Sequence, residues 1–345
     1  MEGDFFVDYS KLDDIQRQFI QAKFDQNMMI IGKAGTGKSL IALHKLSFVP
    51  EGKTATVVVY TKVLQKYFKK GIEALGLRKN IRICYKDGGY PAHSDYMFVD
   101  ECQDFTKEEV NDLILRGTIS YFFGDNDQTI MVFPNRTPQT IGLTCMALGV
   151  KPIELFKNYR LTIQNAKFAE YVIKKDDIAK RCFRIGEKPI LFSAPNYKGQ
   201  IQTMIDIIKG QRLTRVGILL PYNSIQDANR SYDGIGYLSV EYVRDYMIKH
   251  GMPVEYKIHG ESTLDFGTDL PKLVSWHCSK GLQFNDVFIP FCEYNYYEYR
   301  RNQIYVIVTR AYSRLHIGYT SDINTNFYPP ISSEYYTIPS ATTKI

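Results

Sequence analysis

The chain has 345 residues, 44% of them hydrophobic and 23% charged, with a formal net charge of +6. That composition belongs to a globular protein with room for two domains of ordinary size, and it excludes disordered, collagen-like and low-complexity chains. The mild positive charge permits a polyanionic partner without demanding one, and six scattered cysteines (Cys84, Cys102, Cys145, Cys182, Cys278 and Cys292) with no C-x-x-C pair argue against a disulfide frame or a zinc centre.

Met1-Glu2-Gly3-Asp4 lacks the basic start and apolar core of a signal peptide. No apolar run approaches the length that spans a bilayer, so a cytoplasmic protein with no membrane partner is expected. Ser10-Lys11-Leu12-Asp13-Asp14-Ile15-Gln16 begins with a capping signal and predicts a helix to about residue 24. The apolar run Asn27-Met28-Met29-Ile30-Ile31 then leads through Gly32-Lys33-Ala34-Gly35-Thr36-Gly37-Lys38-Ser39 into a helical stretch over 40–46. This is strand, glycine-rich turn and helix, with G-x-x-x-x-G-K-[ST] in the turn. In that context backbone N–H groups around Gly32, Gly35, Thr36 and Gly37 can close round a phosphate at the positive end of the helix. Lys38 reaches the outer phosphates and the Ser39 hydroxyl ligates Mg²⁺. The bland alternative is a merely glycine-rich turn, and the flanking strand and helix argue against it.

Residues 55–60, 96–100 and 119–123 read as buried strands, and 61–75 has helical spacing. Strands alternating with helices predict a parallel sheet with helices on both faces. The pattern repeats with strands at 215–220, 272–276, 286–290 and 315–319 and helices at about 160–182 and 237–250. The expected division is 1–150, 151–322 and a Ser/Thr/Pro/Asn-rich, loosely held tail over 323–345.

Asp100-Glu101-Cys102-Gln103-Asp104 ends the 96–100 strand. An acid at the carboxyl edge of a sheet, facing a phosphate loop, can hold Mg²⁺, and a second beside it can act as base for an attacking water. Asp100 is assigned to the metal and Glu101 to the water. With D-E-x-Q-D in place, the sequence resembles superfamily 1 helicases of the UvrD/Rep type, in order over roughly residues 12–320. Leu12-Asp13-Asp14-Ile15-Gln16 resembles their Q motif, which implies that Gln16 recognises adenine. Val59-Tyr60-Thr61-Lys62 is similar to a motif that touches single-stranded DNA. Gly124-Asp125-Asn126-Asp127-Gln128 resembles G-D-x-x-Q and implies that Gln128 senses the γ-phosphate. Asn158-Tyr159-Arg160 resembles N-Y-R, so that Tyr159 stacks on adenine and Arg160 reaches the γ-phosphate. His277-Cys278-Ser279-Lys280-Gly281-Leu282-Gln283 is similar to H-x-x-K-G-L-E, with His277 linking ATP and DNA sites. Tyr305-Val306-Ile307-Val308-Thr309-Arg310-Ala311 is similar to Y-V-A-x-T-R-A and implies Arg310 as a second arginine finger.

The resemblance implies two RecA-like P-loop domains, each a parallel sheet flanked by helices, with ATP and Mg²⁺ in the cleft between them. It implies an ATP hydrolase that translocates on single-stranded DNA, with RNA as the alternative polymer. The sequence also departs from the family. Gln283 stands where the family has a glutamate near the nucleotide sugar, so Gln283 is expected at the nucleotide with altered nucleotide selectivity or coupling. Met131 and Phe133 stand where a tyrosine and a tryptophan stack on bases; Phe133 keeps a stacking ring. For Tyr60 and Phe133 core packing is the competing reading. The aromatic-basic stretch 293–301 suits either nucleic acid or a half-buried helix. Both family insertions are expected to be pared down to loops: only about 35 residues (61–96) precede D-E-x-Q-D, and the second stretch, 261–273, is shorter still. A bare motor that unwinds duplex weakly is therefore expected, with a protein partner supplying strand separation or a nuclease. The rival function is a nucleotide-gated ATPase that regulates such a partner in an antiviral system.

Overall fold

Apolar runs without a polar face mark strands covered on both sides, and the first half of the chain is built on them. The computed structural model describes residues 9–77, 80–133, 135–175, 177–294, 300–320 and 332–339, and the chain divides into two units, Met1–Asn158 and Tyr159–Ile345. The first holds six parallel strands: β1 (Met28–Gly32), β2 (Ala55–Val59), β3 (Ile81–Tyr85), β4 (Ser94–Val99), β5 (Gly117–Gly124) and β6 (Pro152–Leu155), in the order β3-β2-β4-β5-β1-β6.

Successive side chains of a strand point to opposite faces, and the two cores follow that alternation. Met28 and Ile30 of β1, Val57 and Val59 of β2, Phe98 of β4 and Tyr121 and Phe123 of β5 pack beneath α1 (Asp14–Gln21), α2 (Lys38–Leu46) and α3 (Lys62–Ala74). The intervening Met29, Val58, Met97, Val99 and Phe122 pack with α4 (Lys107–Arg116) and α5 (Ile141–Leu148). Each large apolar side chain so buried contributes about 1.5–3 kcal/mol. Because all six strands run the same way, the carboxyl ends of β1, β5 and β4 meet at one edge. There they deliver Lys33, Asp125 and Asp100.

Helix α1 starts later and ends earlier than its sequence suggests. Residues Tyr9–Lys11 form a 3₁₀ turn, and the cap is Asp13, which accepts from the Gln16 N–H while the Gln16 side chain accepts from the Asp13 N–H. This reciprocal box satisfies two orphan donors of the first turn.

The second unit carries β7 (Asn158–Thr162, which opens on the last residue of the first), β8 (Cys182–Arg184), β9 (Ile190–Ser193), β10 (Val216–Leu220), β11 (Glu255–Ile258), β12 (Glu261–Ser262), β13 (Lys272–Ser275), β14 (Phe284–Ile289) and β15 (Ala311–Tyr319). Its main sheet runs β12-β11-β13-β10-β14-β15-β9, parallel except for β12, and β7 pairs with β8 apart from it. The helices are α6 (Ile163–Ile173), α7 (Tyr197–Gly210), α8 (Ile225–Arg230), α9 (Val240–Lys249), α10 (Trp276–Ser279) and α11 (Arg301–Val308). Met204, Ile205 and Ile208 of α7 and Val243 and Met247 of α9 cover Ile218, Leu220 and Phe288 of the sheet.

The helix read over 160–182 is a correction: among the described residues Ile163–Ile173 is α-helical and Ala179–Arg181 makes a separate 3₁₀ turn. Thr162 caps the α-helix through a bond from the Asn165 N–H, and Lys174 ends it in the left-handed region at φ 55°. The short stretches 61–96 and 261–273 hold no extra domain among the described residues, only α3, β3 and the start of β4 in the first and β12 and the start of β13 in the second. Of the tail, Thr337 pairs with β9 at Ile190, its N–H donating to Pro189 and its carbonyl accepting from Leu191, both at 2.9 Å. The aromatic stretch at 295–299 lies outside the described residues. No described helix is long and apolar enough to cross a membrane.

Candidate functional site

The turn between β1 and α2 depends on glycine at three positions. Gly35 and Gly37 sit at φ 93° and 89°, a backbone region that other residues enter at a cost. A side chain at Gly32 would place its Cβ 2.5 Å from Thr36 Oγ1 and 3.2 Å from Leu155 Cβ. Thr36 is itself buried, and its hydroxyl donates to the Lys33 carbonyl at 3.0 Å. Lys38 begins α2, is 6% exposed, and donates from Nζ to the Gly32 carbonyl at 2.6 Å. Ser39, one residue on, donates from Oγ to Asp100 Oδ2 at 2.6 Å. The glycine-rich turn and the carboxylate strand, 61 residues apart in sequence, therefore meet. Gln16, expected to read a base, is buried against the loop, donating from Nε2 to the Thr36 carbonyl at 3.2 Å.

Asp100 and Glu101 are both buried, and Glu101 takes a left-handed φ of 55°. Gln103 Nε2 donates to Glu101 Oε2 at 2.7 Å, and Gln103 Oε1 accepts from the Asp125 N–H at 3.0 Å. Asp125 in turn accepts from Gln128 Nε2 at 2.9 Å, while Lys33 pairs with Asp127. A continuous chain of hydrogen bonds thus runs from Ser39 through Asp100, Glu101, Gln103 and Asp125 to Gln128, using also the bond from the Glu101 N–H to Asp100 Oδ1. Gln103 and Asp125 were passed over in the sequence. Asp125 directly follows β5 and Gln103 lies in the 3₁₀ turn after β4, and both stand inside the D-E-x-Q-D and G-D-x-x-Q motifs, which is the available signal.

Burial first, and the neighbouring Glu101 charge second, push the Asp100 carboxyl up to about 7. The folded protein therefore holds a proton that the unfolded chain releases near the ordinary carboxylate value. The stability this gives is present at low pH and is lost as pH rises through about 7. Metal-free protein is expected to melt lower at pH 8 than at pH 6. Asp100→Asn should flatten that dependence and raise stability at pH 8, as read by thermal melts in chelator; an unchanged slope would show that Asp100 stays ionised.

Among the polymer candidates, Tyr60 is half-buried, with its ring edge-on to Phe105 at 5.5 Å and the Arg136 guanidinium 5.0 Å from its centroid. Burial raises its phenol well above the ordinary range. Thr61 caps α3 through the Leu64 N–H at 3.1 Å, and exposed Lys62 lies over the Tyr85 ring at 4.9 Å. Phe133 is 47% exposed. Of the two rings, Phe133 is the more exposed, and Tyr60 is half-buried against Phe105.

In the second unit Tyr159 lies edge-on to Phe183 at 5.5 Å, and Arg160 Nε donates to Gln283 Oε1 at 2.9 Å. Arg184 donates to the carbonyls of Arg160 and Tyr312, the latter at 2.8 Å, and covers the Tyr312 ring. Arg310 is buried, its guanidinium donating to Val306 O at 2.8 Å, Leu282 O at 3.3 Å and Thr309 Oγ1 at 3.1 Å. His277 lies half-buried on α10. Tyr159, Arg160, Gln283 and Arg310 are thus carried by one unit, and Gln16, Lys38, Ser39, Asp100, Glu101 and Gln128 by the other.

Residues 273–317, spanning β13 to β15, match the family model of the UvrD-like helicase C-terminal domain. No curated protein sequence matches the chain. Among solved structures, the arterivirus nonstructural protein 10 helicase is 16% identical at a TM-score of 0.48, over 85% of this chain and 59% of that one. The PRRSV helicase is 13% identical at 0.48, over 88% of this chain and 54% of that one. The C-terminal domain of a possible DNA helicase from Lactobacillus plantarum is 17% identical at 0.38, over 52% of this chain and 98% of that domain. The chain thus spans little more than half the length of the viral helicases.

Proposed function

We propose that this chain, whose second unit carries the UvrD-like helicase segment, is an ATP-driven motor on single-stranded nucleic acid, with DNA as the first candidate. The observation that carries the reading is the 2.6 Å contact between Ser39 Oγ and Asp100 Oδ2, with Lys38 buried beside it. Both are hard oxygen donors. Among the described residues no group of three or more His, Cys, Asp or Glu is placed to hold a metal, but Mg²⁺ bound with phosphates needs only one or two protein oxygens. Ser39 and Asp100 fit that requirement. Bound there, Mg²⁺ would neutralise charge developing on the transferred phosphoryl group.

The protein's own groups complete the mechanism. Lys38 turns from the Gly32 carbonyl to the outer phosphates. Glu101, held by Gln103, accepts a proton from the attacking water. Gln128 is linked to Glu101 through Asp125 and Gln103, so it can report the state of the terminal phosphate to the acid beside the water. Arg160 and Arg310, both carried by the second unit, supply positive charge to the transferring phosphoryl group. Tyr159 stacks on the base and Gln283 anchors Arg160. Phe133, Lys62, Thr61, Tyr60 and His277 form the polymer-side candidates.

The test is NTP turnover with single-stranded DNA, single-stranded RNA, duplex DNA and no polymer, side by side. Stimulation by single strands is expected, with binding that weakens steeply in salt as phosphate contacts release counterions. Turnover indifferent to every polymer would overturn the motor and favour a nucleotide-gated switch acting on a protein partner. Since 61–96 and 261–273 carry no accessory domain among the described residues, the purified chain should translocate, displacing a terminal label from single-stranded DNA, yet unwind a tailed duplex poorly. Efficient unwinding by the monomer would defeat that expectation.

A further inference from the structure

In a trans peptide the carbonyl and the following N–H point in opposite directions, so whatever holds a carbonyl of the phosphate loop also aims the next amide. Two side-chain amides do this here. Asn158 donates from Nδ2 to the Ala34 carbonyl at 2.7 Å, and Gln16 donates from Nε2 to the Thr36 carbonyl at 3.2 Å. The next residues are Gly35 and Gly37, both at positive φ, and their N–H groups consequently face away from Asn158 and Gln16. Among the described residues neither N–H donates to a protein acceptor. Glycine is free to visit φ of either sign, so these peptide planes can flip unless something outside the loop fixes them.

The clamps are themselves well anchored. Asn158 and Ala34 are 0% and 2% exposed, which shields their hydrogen bond from competing water. Leu155, three residues earlier, is in register with Gly32 across the β1–β6 pair. Lys157 Nζ lies 3.9 Å from Asp13, the residue that caps the helix bearing Gln16.

We infer that Asn158 is a positioning residue for polyphosphate. Its side-chain amide locks the Ala34–Gly35 peptide so that the Gly35 N–H is presented to a phosphate oxygen, and Gln16 does the same for Thr36–Gly37. The inference rests on the nucleotide-binding reading above and adds to it the role of two side chains that touch no phosphate themselves. It also gives Gln16 a task independent of base recognition.

The full-length chain and its Asn158→Ala and Asn158→Asp variants are titrated calorimetrically with Mg·ADP and with tripolyphosphate, which has no base or sugar. Steady-state ATP turnover and melting temperature are measured beside them. Loss of one hydrogen bond is expected to weaken both ligands about 3- to 10-fold in Asn158→Ala. The loss should be larger in Asn158→Asp, where an oxygen faces the Ala34 carbonyl. KM for ATP should rise by a similar factor with kcat within about twofold, the pattern of lost uniform binding. A residue that merely supports the fold would lower kcat through the active fraction, leave KM unchanged and depress the melting temperature. That pattern, or variants that bind both ligands as the parent does, would overturn the inference. If the Asn158 variants melt below the assay temperature, Gln16→Met tests the second clamp from a different helix: weaker tripolyphosphate binding supports the inference and unchanged binding overturns it. A parent chain that binds neither ligand would remove the nucleotide reading itself, and this inference with it.

Discussion

Glu101→Gln should lower NTP turnover by about 10²–10⁴-fold, the range typical of a lost general base, while Mg·ATP still binds. Glu101 sits at φ 55° with its Oε2 held by Gln103 at 2.7 Å. The isosteric glutamine can keep that bond by turning its own oxygen toward Gln103 Nε2, so the loop geometry survives and only the proton acceptor is lost. Lys38→Ala acts differently. Lys38 is the buried cation beside the loop carbonyls, and on the proposed reading its removal takes away the charge that would meet the outer phosphates, so both binding and turnover should fall. Equilibrium binding of a fluorescent nucleotide beside single-turnover hydrolysis separates the two cases. A Glu101→Gln protein that hydrolyses at the parent rate would move the base elsewhere in the site. One that fails to bind would make Glu101 a structural residue of the loop.

The parts of this site that could be read in the sequence are those in which the main chain imposes residue type. The loop needs glycine at Gly35 and Gly37 because φ is positive there, and a glycine requirement leaves a spaced pattern. Buried strands such as β2 and β4 were legible because both faces are covered and the runs Val57–Val59 and Tyr96–Val99 are continuously apolar. The edge strands were not. β3 alternates, with Arg82 exposed, and β6 is four residues long and starts on a proline. Contacts across long sequence separations left no local trace. Gln103 and Asp125 lie 22 residues apart, and Asn158 and Ala34 lie 124 apart. α4 was open to reading and missed, since Thr106 and Glu109 form a reciprocal capping box.

The second large effect is expected at the arginines, and the structure separates two residues that the sequence treats alike. Arg160 is half-buried and its Nε bonds to the neutral Gln283 side chain at 2.9 Å. Arg310 is buried and donates to two carbonyls and a hydroxyl of its own unit. Arg160→Ala should therefore cut turnover by about 10³–10⁵-fold, as for a lost arginine finger, with little change in melting temperature. Arg310→Ala should cut turnover and also destabilise the fold by about 1–3 kcal/mol, because it takes the Arg310 donor from the Leu282 carbonyl, whereas the Val306 carbonyl still accepts from Thr309 Oγ1. Turnover measured beside thermal melts distinguishes them; near-normal turnover in either variant removes that residue from the finger role. Gln283→Glu supplies the opposite perturbation. A carboxylate in place of the amide oxygen turns the Arg160 contact from a cationic donor on a neutral acceptor into an ion pair of the Arg–carboxylate kind. Arg160 would then be held more firmly within its own unit and released to the phosphate less readily. Gln283→Glu should therefore slow turnover while leaving the fold intact or slightly stabilised. Faster turnover in that variant would mean that the neutral contact restrains nothing and that Arg160 reaches the phosphate without leaving residue 283.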